Sequence, residues 1–152
     1  MKPGEEVRVR FTIAEEFRDL APPLYASPDA AGADLFAAVK EPLVVPPGGR
    51  ALVPTGLTLE VPRGFEAQVR ARSGLALKKG LALANGVGTI DADYRGEVGV
   101  IVVNLGSEPV AIARGERIAQ IVVAPVARAV FLRAESLARS DRGSGGFGST
   151  GP

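Results

Sequence analysis

The chain has 152 residues, a net charge of +1, and neither histidine nor cysteine. This length suits one domain, and the near-neutral charge offers no polybasic surface for nucleic acid or a membrane. We therefore expect no nucleic-acid or membrane partner. The lack of cysteine excludes disulfides and thiolate sites. Together with a polar N-terminus unlike a signal peptide, it predicts a cytoplasmic protein.

The absence of histidine limits the possible chemistry further. It excludes Ser-His-Asp and Cys-His machinery, a histidine general base and the usual zinc sites. Any catalysis must draw on carboxylates, Arg and Lys side chains, hydroxyls and backbone amides, with or without a hard metal ion. That inventory fits phosphoryl transfer, in which positioning and charge neutralisation dominate. The absence of histidine is equally compatible with a protein that binds a ligand without catalysis.

Period-two alternation dominates the first half of the chain, at residues 7–13, 57–61 and 65–72, and is typical of half-buried strands. Denser apolar runs at 98–105 and 118–126 predict inner strands or a subunit contact. Pro- and Gly-rich turn signals separate these segments. The pattern predicts an all-β fold, a sandwich or a jelly-roll-like barrel.

Asp34 lies among small and apolar residues at a predicted strand start. A lone acid there is more often a turn or cap residue than a metal ligand. Further along, Ser73–Lys79 is predicted to form one short helix, with Ser73 as N-cap and Gly80 as terminator. A strand that runs through Arg72 into this helix would expose backbone amides suited to phosphate. The alternative is a plain capped turn with Arg72 on a solvated face.

Residues 83–98 form the richest polar stretch. Asn85-Gly86 between apolar residues is a strong hairpin signal, and residues 93–96 read as a turn. Neither explains the polar groups around Asp91. Later in the chain, Arg117 and Gln120 emerge from an otherwise apolar strand, where Gln120 has the alternative of being an ordinary surface residue.

The last dozen residues, 141–152, carry one large apolar side chain, Phe147, among glycines. Such a segment buries too little to offset its ordering entropy, so we expect it to be mobile in the free protein. It nevertheless contains Arg142, hydroxyls and accessible backbone amides, which can bind an anion, and Phe147, which can stack on a ring. These groups would allow the segment to close as a lid over an anionic ligand that contains a ring. The alternative is an unstructured terminus.

Five segments, taken together, resemble the five motifs of trimeric deoxyuridine triphosphatases (dUTPases, or dUTP pyrophosphatases). They are A-G-A-D-L-F-A at 31–37, R-S-G-L-A at 72–76, N-G-V-G-T-I-D-A-D-Y-R-G-E at 85–97, G-E-R-I-A-Q at 115–120 and R-G-S-G-G-F-G-S-T-G at 142–151. One such motif is a weak signal, whereas five in the right order and spacing are specific. The resemblance implies that family's jelly-roll-like, β-clip barrel. It also implies hydrolysis of dUTP to dUMP and pyrophosphate with Mg²⁺, which keeps uracil out of DNA and supplies dUMP for thymidylate synthesis.

The resemblance implies that Asp91 is catalytic, holding the 3′-hydroxyl and orienting the water that attacks the α-phosphorus. A loose phosphoryl transition state tolerates a weak base because placement matters more than basicity. Tyr94 would leave no room for a 2′-hydroxyl, and Asn85 with nearby backbone would select uracil, since cytosine would leave buried groups unpaired. The implied uracil and deoxyribose contacts are Asn85, Gly88, Thr89, Ile90, Asp91, Tyr94 and Phe147.

The second, fourth and fifth motifs supply the implied phosphate contacts. These are Arg72, Ser73, Gly74, Gln120, Arg142, Ser149, Thr150 and Gly151. Asp34 matches the acid of the first motif, which acts on the metal through water, while the triphosphate holds Mg²⁺ directly. The resemblance further implies a barrel domain at 1–139, an arm at 140–152 that closes over dUTP, and a homotrimer whose sites are shared between subunits.

Two rivals remain at this point. A deoxycytidine triphosphate deaminase of the same superfamily would attack the base instead, but that family lacks the glycine-rich stacking arm. A nucleotide sensor on the same scaffold would bind without hydrolysis, yet it would have no need of a water-orienting carboxylate at Asp91.

Overall fold

Alternation of apolar and polar residues folds this chain into antiparallel strands that turn one face toward a common core. The computed structural model describes residues 6–146. Within them lie eleven strands, one α-helix and a 3-10 helix at Glu15–Phe17. The strands and the helix are β1 (Arg10–Ile13), β2 (Leu24–Tyr25), β3 (Ala33–Phe36), β4 (Leu43–Val45), β5 (Arg50–Glu60), β6 (Phe65–Arg70), α1 (Ser73–Lys79), β7 (Leu81–Leu83), β8 (Gly88–Ile90), β9 (Glu97–Asn104), β10 (Val110–Ile112) and β11 (Arg117–Pro125).

The strands form three antiparallel sheets. A four-stranded sheet has the order β1-β5-β9-β7, a five-stranded sheet has the order β2-β3-β11-β6-β8, and β10 pairs with β4. The predicted all-β class with one short helix is confirmed, although the hydrogen-bonded sheets do not close into a single barrel. Because β3, β11, β6 and β8 are neighbours, the first four motifs border one sheet.

The two densest apolar runs are inner strands, as predicted, since β9 lies between β5 and β7 and β11 lies between β3 and β6. β9 buries only one face completely, and β11 is only half-buried at Val122, Val123 and Ala124. In β9, Val98, Val100 and Val102 are buried, whereas Ile101 on the opposite face is 41% exposed. A single chain therefore leaves apolar surface on the outer face of its central strands.

Gly80 ends α1 as predicted, because its left-handed backbone (φ 67°) suits glycine. Its N–H donates to the Ala76 carbonyl at 3.1 Å. A side chain at this position would also collide with the backbone of Gly106. In residues 6–146 no helix combines the length and the apolar character needed to span a membrane.

Asn104 is a fully buried polar residue at the end of β9. Its side-chain amide donates to the carbonyls of Val45 (2.9 Å) and Glu108 (2.8 Å). Its Oδ1 accepts from the Gly106 N–H at 2.9 Å. One side chain thus joins the end of β9 to β4 and to the turn before β10, with every polar atom satisfied.

We predict that Asn104→Ala lowers the free energy of unfolding by about 2–4 kcal/mol, because it leaves buried carbonyl and amide groups unpaired. Urea unfolding at fixed protein concentration measures this loss. Asn85→Ala, at an exposed asparagine, is the matched control and should change stability little. Equal unfolding midpoints for the two variants would contradict the role of Asn104.

Candidate active site

A buried carboxylate lies at the centre of the charged groups on the five-stranded sheet. Asp34 is 8% exposed, and its neighbour Leu35 points into the core. Asp34 Oδ1 lies 2.9 Å from Arg72 Nε, and Oδ2 lies 3.1 Å from Arg117 Nη1. Each carboxylate oxygen therefore has its own guanidinium partner, as a buried charge requires. We call these three residues the Asp34 cluster.

An irregularity in β11 places Arg117 and Gln120 on the face of the sheet that carries Asp34. Gln120 lies directly opposite Asp34, whereas the register shifts between Arg117 and Ala119. In a regular strand, residues three apart point to opposite faces. A bulge inserts one residue and re-aims a side chain, so both residues reach the face that carries Asp34.

Gln120 is held by the backbone that leads into the helix. Its Nε2 donates to the Ala71 carbonyl at 3.1 Å. A Cβ added to Gly32 would lie 2.8 Å from Gln120 Oε1, so the glycine makes room for the amide. Sequence reasoning missed Gly32, although it lies two residues before Asp34 in the first motif.

The prediction that Ser73 caps α1 is wrong. Arg72 is the N-cap, with extended backbone (φ −93°, ψ 123°) and no side-chain cap bond, and Ser73 is the first helical residue. The Arg72 carbonyl accepts from Leu75 and Ala76, both at 3.1 Å. The first amides of the helix have no intrahelical acceptor, and space is open beside Gly74. Arg72 instead uses its side chain to bind Asp34 and the Arg117 carbonyl, the latter at 3.1 Å.

The C-terminal end of α1 is tied to the turn before β11. Lys79 Nζ lies 2.7 Å from Glu116 Oε1, and Glu116 Oε2 accepts from the Ala113 N–H at 3.1 Å. Burial opposes ionisation of Glu116, but the hydrogen bonds from Lys79 and Ala113 and the charges of Lys79 and Arg72 together outweigh it and hold the pKa of Glu116 below its ordinary value. The ion pair keeps the helix beside β11 and hence beside Gln120.

The segment that carries Asn85 is a turn between two sheets, which corrects the hairpin interpretation. β7 pairs with β9 in the four-stranded sheet, and β8 pairs with β6 in the five-stranded sheet. The Gly86 N–H donates to the Leu83 carbonyl at 3.3 Å, and Gly86 has φ 72°. Asn85-Gly86 thus forms the turn, but the flanking strands β7 and β8 pair with other strands and not with each other. Within β8, Gly88 and Ile90 are buried and Thr89 is exposed.

Asp91 and Tyr94 belong to one turn that directly follows β8. The Tyr94 N–H donates to the Asp91 carbonyl at 3.1 Å, and the Tyr94 hydroxyl donates to the Glu97 carbonyl at 3.0 Å. Asp91 is exposed and Tyr94 is 46% exposed. The ring lies so close to Gly96 that a side chain there would collide with it. The turn therefore presents an open carboxylate and a fixed aromatic ring together.

The structure does not bring Asp91 to the Asp34 cluster within one chain. Ile90 pairs with Ala67, which places Asp91 beside Glu66 near the start of β6, whereas Arg72 follows the end of that strand. Six residues of extended chain separate the two ends, a distance of about 20 Å at about 3.3 Å per residue. That span is too long for Asp91 and Arg72 of one chain to contact the same phosphate group.

Arg142 is exposed, and its Nε donates to the Gly145 carbonyl at 2.7 Å. The predicted arm contacts Phe147, Ser149, Thr150 and Gly151 lie outside the described residues. Within residues 6–146, no three acidic side chains converge as metal ligands.

Sequence reasoning also left Arg117 and Gly96 out of the site. Arg117 was noticed as a charge on an apolar strand, but regular alternation places it on the opposite face from Gln120. The signal that identifies it is the register shift, which no single sequence reveals. Gly96 could have been suspected from its position two residues after an aromatic residue in a turn.

The comparisons with known proteins agree on one family. A sequence profile described as dUTPase matches residues 19–151. The deoxyuridine 5′-triphosphate nucleotidohydrolase of Methylocella silvestris is 57% identical over 135 residues, which cover 88% of this chain and 84% of that protein.

Solved structures give the same result. A variant of the Staphylococcus bacteriophage 80alpha dUTPase, solved with dUpNHpp, has a TM-score of 0.85 at 25% identity, covering 95% of this chain and 99% of that one. A variant dUTPase of S. aureus phage phi11, solved in work on its structural Mg(II) ion, has a TM-score of 0.75 at 22% identity, covering 85% and 97%. The latter likeness concerns the fold. The profile match and the identity to the bacterial relative show that the chain belongs to the dUTPase family.

Proposed function

We propose that this protein is a dUTP diphosphatase, which hydrolyses dUTP to dUMP and pyrophosphate. The observation that carries the proposal is the match of the dUTPase profile to residues 19–151. The name of the bacterial relative and the dUpNHpp bound to the phage enzyme support the same substrate. The residues fit this chemistry, because the chain carries fixed guanidinium groups in the Asp34 cluster and an open carboxylate at Asp91, and it has no histidine.

Phosphate binding is the proposed role of the helix start and its neighbours. Arg72, with Ser73, Gly74 and Gln120, would hold the triphosphate, and open backbone amides at the helix start would add donors. The arm would add Arg142, Ser149, Thr150 and Gly151. Because water is excluded as the arm closes, each of these charge interactions becomes stronger.

The base and sugar would lie against the segment that contains Asp91. Backbone groups of Gly88, Thr89 and Ile90, together with Asn85, would pair with uracil, and Phe147 would stack on it. The Tyr94 ring would pack on the deoxyribose. Asp91 would bind the 3′-hydroxyl and hold a water in line with the α-phosphorus. The water oxygen would bond to this phosphorus and the water would release a proton. The bond from the α-phosphorus to the oxygen it shares with the β-phosphorus would break, and pyrophosphate would leave.

Mg²⁺ is the proposed cofactor, and the residues present fit an ion held mainly by the substrate. No carboxylate cage exists in residues 6–146, as is common for Mg²⁺ bound through phosphates and waters. Each Asp34 oxygen accepts from one guanidinium, which leaves lone pairs for a metal-bound water. When bound, the ion supplies positive charge to the phosphate oxygens.

A homotrimer with shared sites is the proposed assembly. The distance along β6 separates Asp91 from Arg72, so a complete site needs parts from different chains. The single chain also exposes apolar side chains that an interface would cover. Examples, with exposures from 41% to 95%, are Leu52, Ile101, Leu105, Val130, Phe131 and Leu132.

We predict that Asp91→Asn lowers the rate of pyrophosphate release from dUTP at least about a hundredfold, because a neutral amide cannot orient and polarise the water. Binding of dUpNHpp, measured by calorimetry, should change only a few-fold. Asp93→Asn removes a nearby exposed carboxylate and is the control, with normal turnover expected. Normal turnover in Asp91→Asn would remove this residue from the mechanism.

Tyr94→Ala should reduce the preference for dUTP over UTP, measured as the ratio of kcat/KM values, because the ring no longer blocks a 2′-hydroxyl. Tyr94→Phe keeps the ring and should keep the preference. Tyr25→Ala, at an exposed tyrosine on β2, serves as the second control. An unchanged ratio in Tyr94→Ala would show that another group discriminates the sugar.

Deletion of residues 140–152 should lower kcat/KM for dUTP at least about tenfold, because closure of the arm over the phosphates is lost. The assembled mass from light scattering should change only by the deleted residues. The arm would be excluded from catalysis if the shortened protein turned over dUTP normally. A change in the number of subunits would instead assign the arm to assembly.

A further inference from the structure

One cation of the Asp34 cluster has no part in the function proposed above. Arg117 Nη1 lies 3.1 Å from Asp34 Oδ2, and the register shift next to it in β11 aims its side chain at this carboxylate. The Arg117 side chain is 52% exposed, compared with 25% for Arg72. β-bulges often lie next to active sites, where they change the direction of a side chain. The bulge that directs Arg117 at Asp34 therefore suggests a functional role for this ion pair.

We propose that Arg117 is a positioning residue for the triphosphate site, acting through Asp34 on Arg72. By binding Oδ2 it fixes the rotation of the carboxylate, so that Oδ1 stays directed at Arg72 Nε. This inference rests on the proposed function, because it requires Arg72 to bind phosphate.

The donor count of Arg72 explains why its orientation matters. A guanidinium has five N–H donors in a rigid fork. Arg72 uses Nε on Asp34 and Nη1 on the Arg117 carbonyl, which leaves its other N–H groups for a ligand. If the carboxylate turned, the fork would turn with it, and the geometry that suits phosphate would be lost.

The charge balance also requires Arg117. Asp34 and Arg72 alone would form a neutral pair, which attracts a triphosphate only weakly. With Arg117 bound to Oδ2, the Asp34 carboxylate is neutralised by a guanidinium other than that of Arg72. Arg117 thereby leaves the charge of Arg72 available to the anion.

Arg117→Gln tests this proposal, with Arg114→Gln as matched control. Arg114 also pairs with an aspartate, Asp19, at 2.6 Å, but on another part of the surface. Calorimetry with dUpNHpp in EDTA isolates the effect from any metal. We expect about tenfold weaker binding for Arg117→Gln, a smaller loss for Arg117→Lys, and no change for Arg114→Gln. Steady-state kinetics should show the loss mainly in KM.

The same substitution in an Asp34→Asn background separates positioning from direct contact. If Arg117 acts through Asp34, adding Arg117→Gln there should change affinity by no more than about twofold. An equal loss in both backgrounds would overturn the proposal, because Arg117 would then contact the ligand itself. No loss in either background would overturn it as well. If Arg117→Gln does not fold, the loss of affinity caused by Arg117→Lys is compared in the same two backgrounds, with the same outcomes supporting or overturning the proposal.

Failure of this inference is distinct from failure of the proposed function. Wild-type protein that neither binds dUpNHpp nor hydrolyses dUTP would contradict the proposed function. Wild-type protein that does both, while Arg117→Gln and Arg117→Lys bind as tightly as it does, would contradict only the role of Arg117.

Discussion

The length and position of β6 set the arrangement of the residues in the candidate site. This strand pairs with β8 on one side and β11 on the other, and its two ends lead to different parts of the chemistry. Asp91 lies beside its start, and Arg72 follows its end. Because an extended strand is stiff, the separation of about 20 Å is a fixed property of the fold. Substrate binding cannot remove it, so in the proposed trimer each site would combine Asp91 of one chain with Arg72 of another.

The second constraint is the burial of Asp34. A carboxylate in this position must be paired, and the fold meets the requirement with two arginines from different strands or strand ends. The consequence is an excess of positive charge at one edge of the sheet, in a chain whose net charge is only +1. Charge for an anionic ligand is therefore local. It lies where α1 begins, beside open backbone amides.

Much of this could be predicted from the sequence. Alternation and apolar runs predict β1, β6, β9, β11 and the second half of β5, and Gly80 predicts the end of α1, because these follow from local rules. The short strands β4, β7 and β10 are not predicted, because three residues are too few to show a period. The predicted helix start is wrong by one residue, because Arg72 and not Ser73 is the N-cap. Only the backbone of Arg72 caps the helix, since its side chain binds Asp34, a residue distant in sequence. The Asn85-Gly86 turn was recognised, but its flanking strands pair with β9 and β6, which no local signal reveals. The shift that turns Arg117 toward Asp34 is likewise a property of strand pairing. The bounds proposed for the barrel and the arm stay predictions, as do the roles of the individual site residues.

The most direct test of shared sites mixes two inactive proteins, Asp91→Ala and Arg72→Ala, by joint unfolding and refolding. If each site takes Asp91 from one chain and Arg72 from another, an equal mixture contains some sites with both residues intact. Random assembly should restore about one quarter of wild-type dUTP hydrolysis. Activity no higher than the sum of the two separate variants, in mixed oligomers verified by mass, would contradict the account.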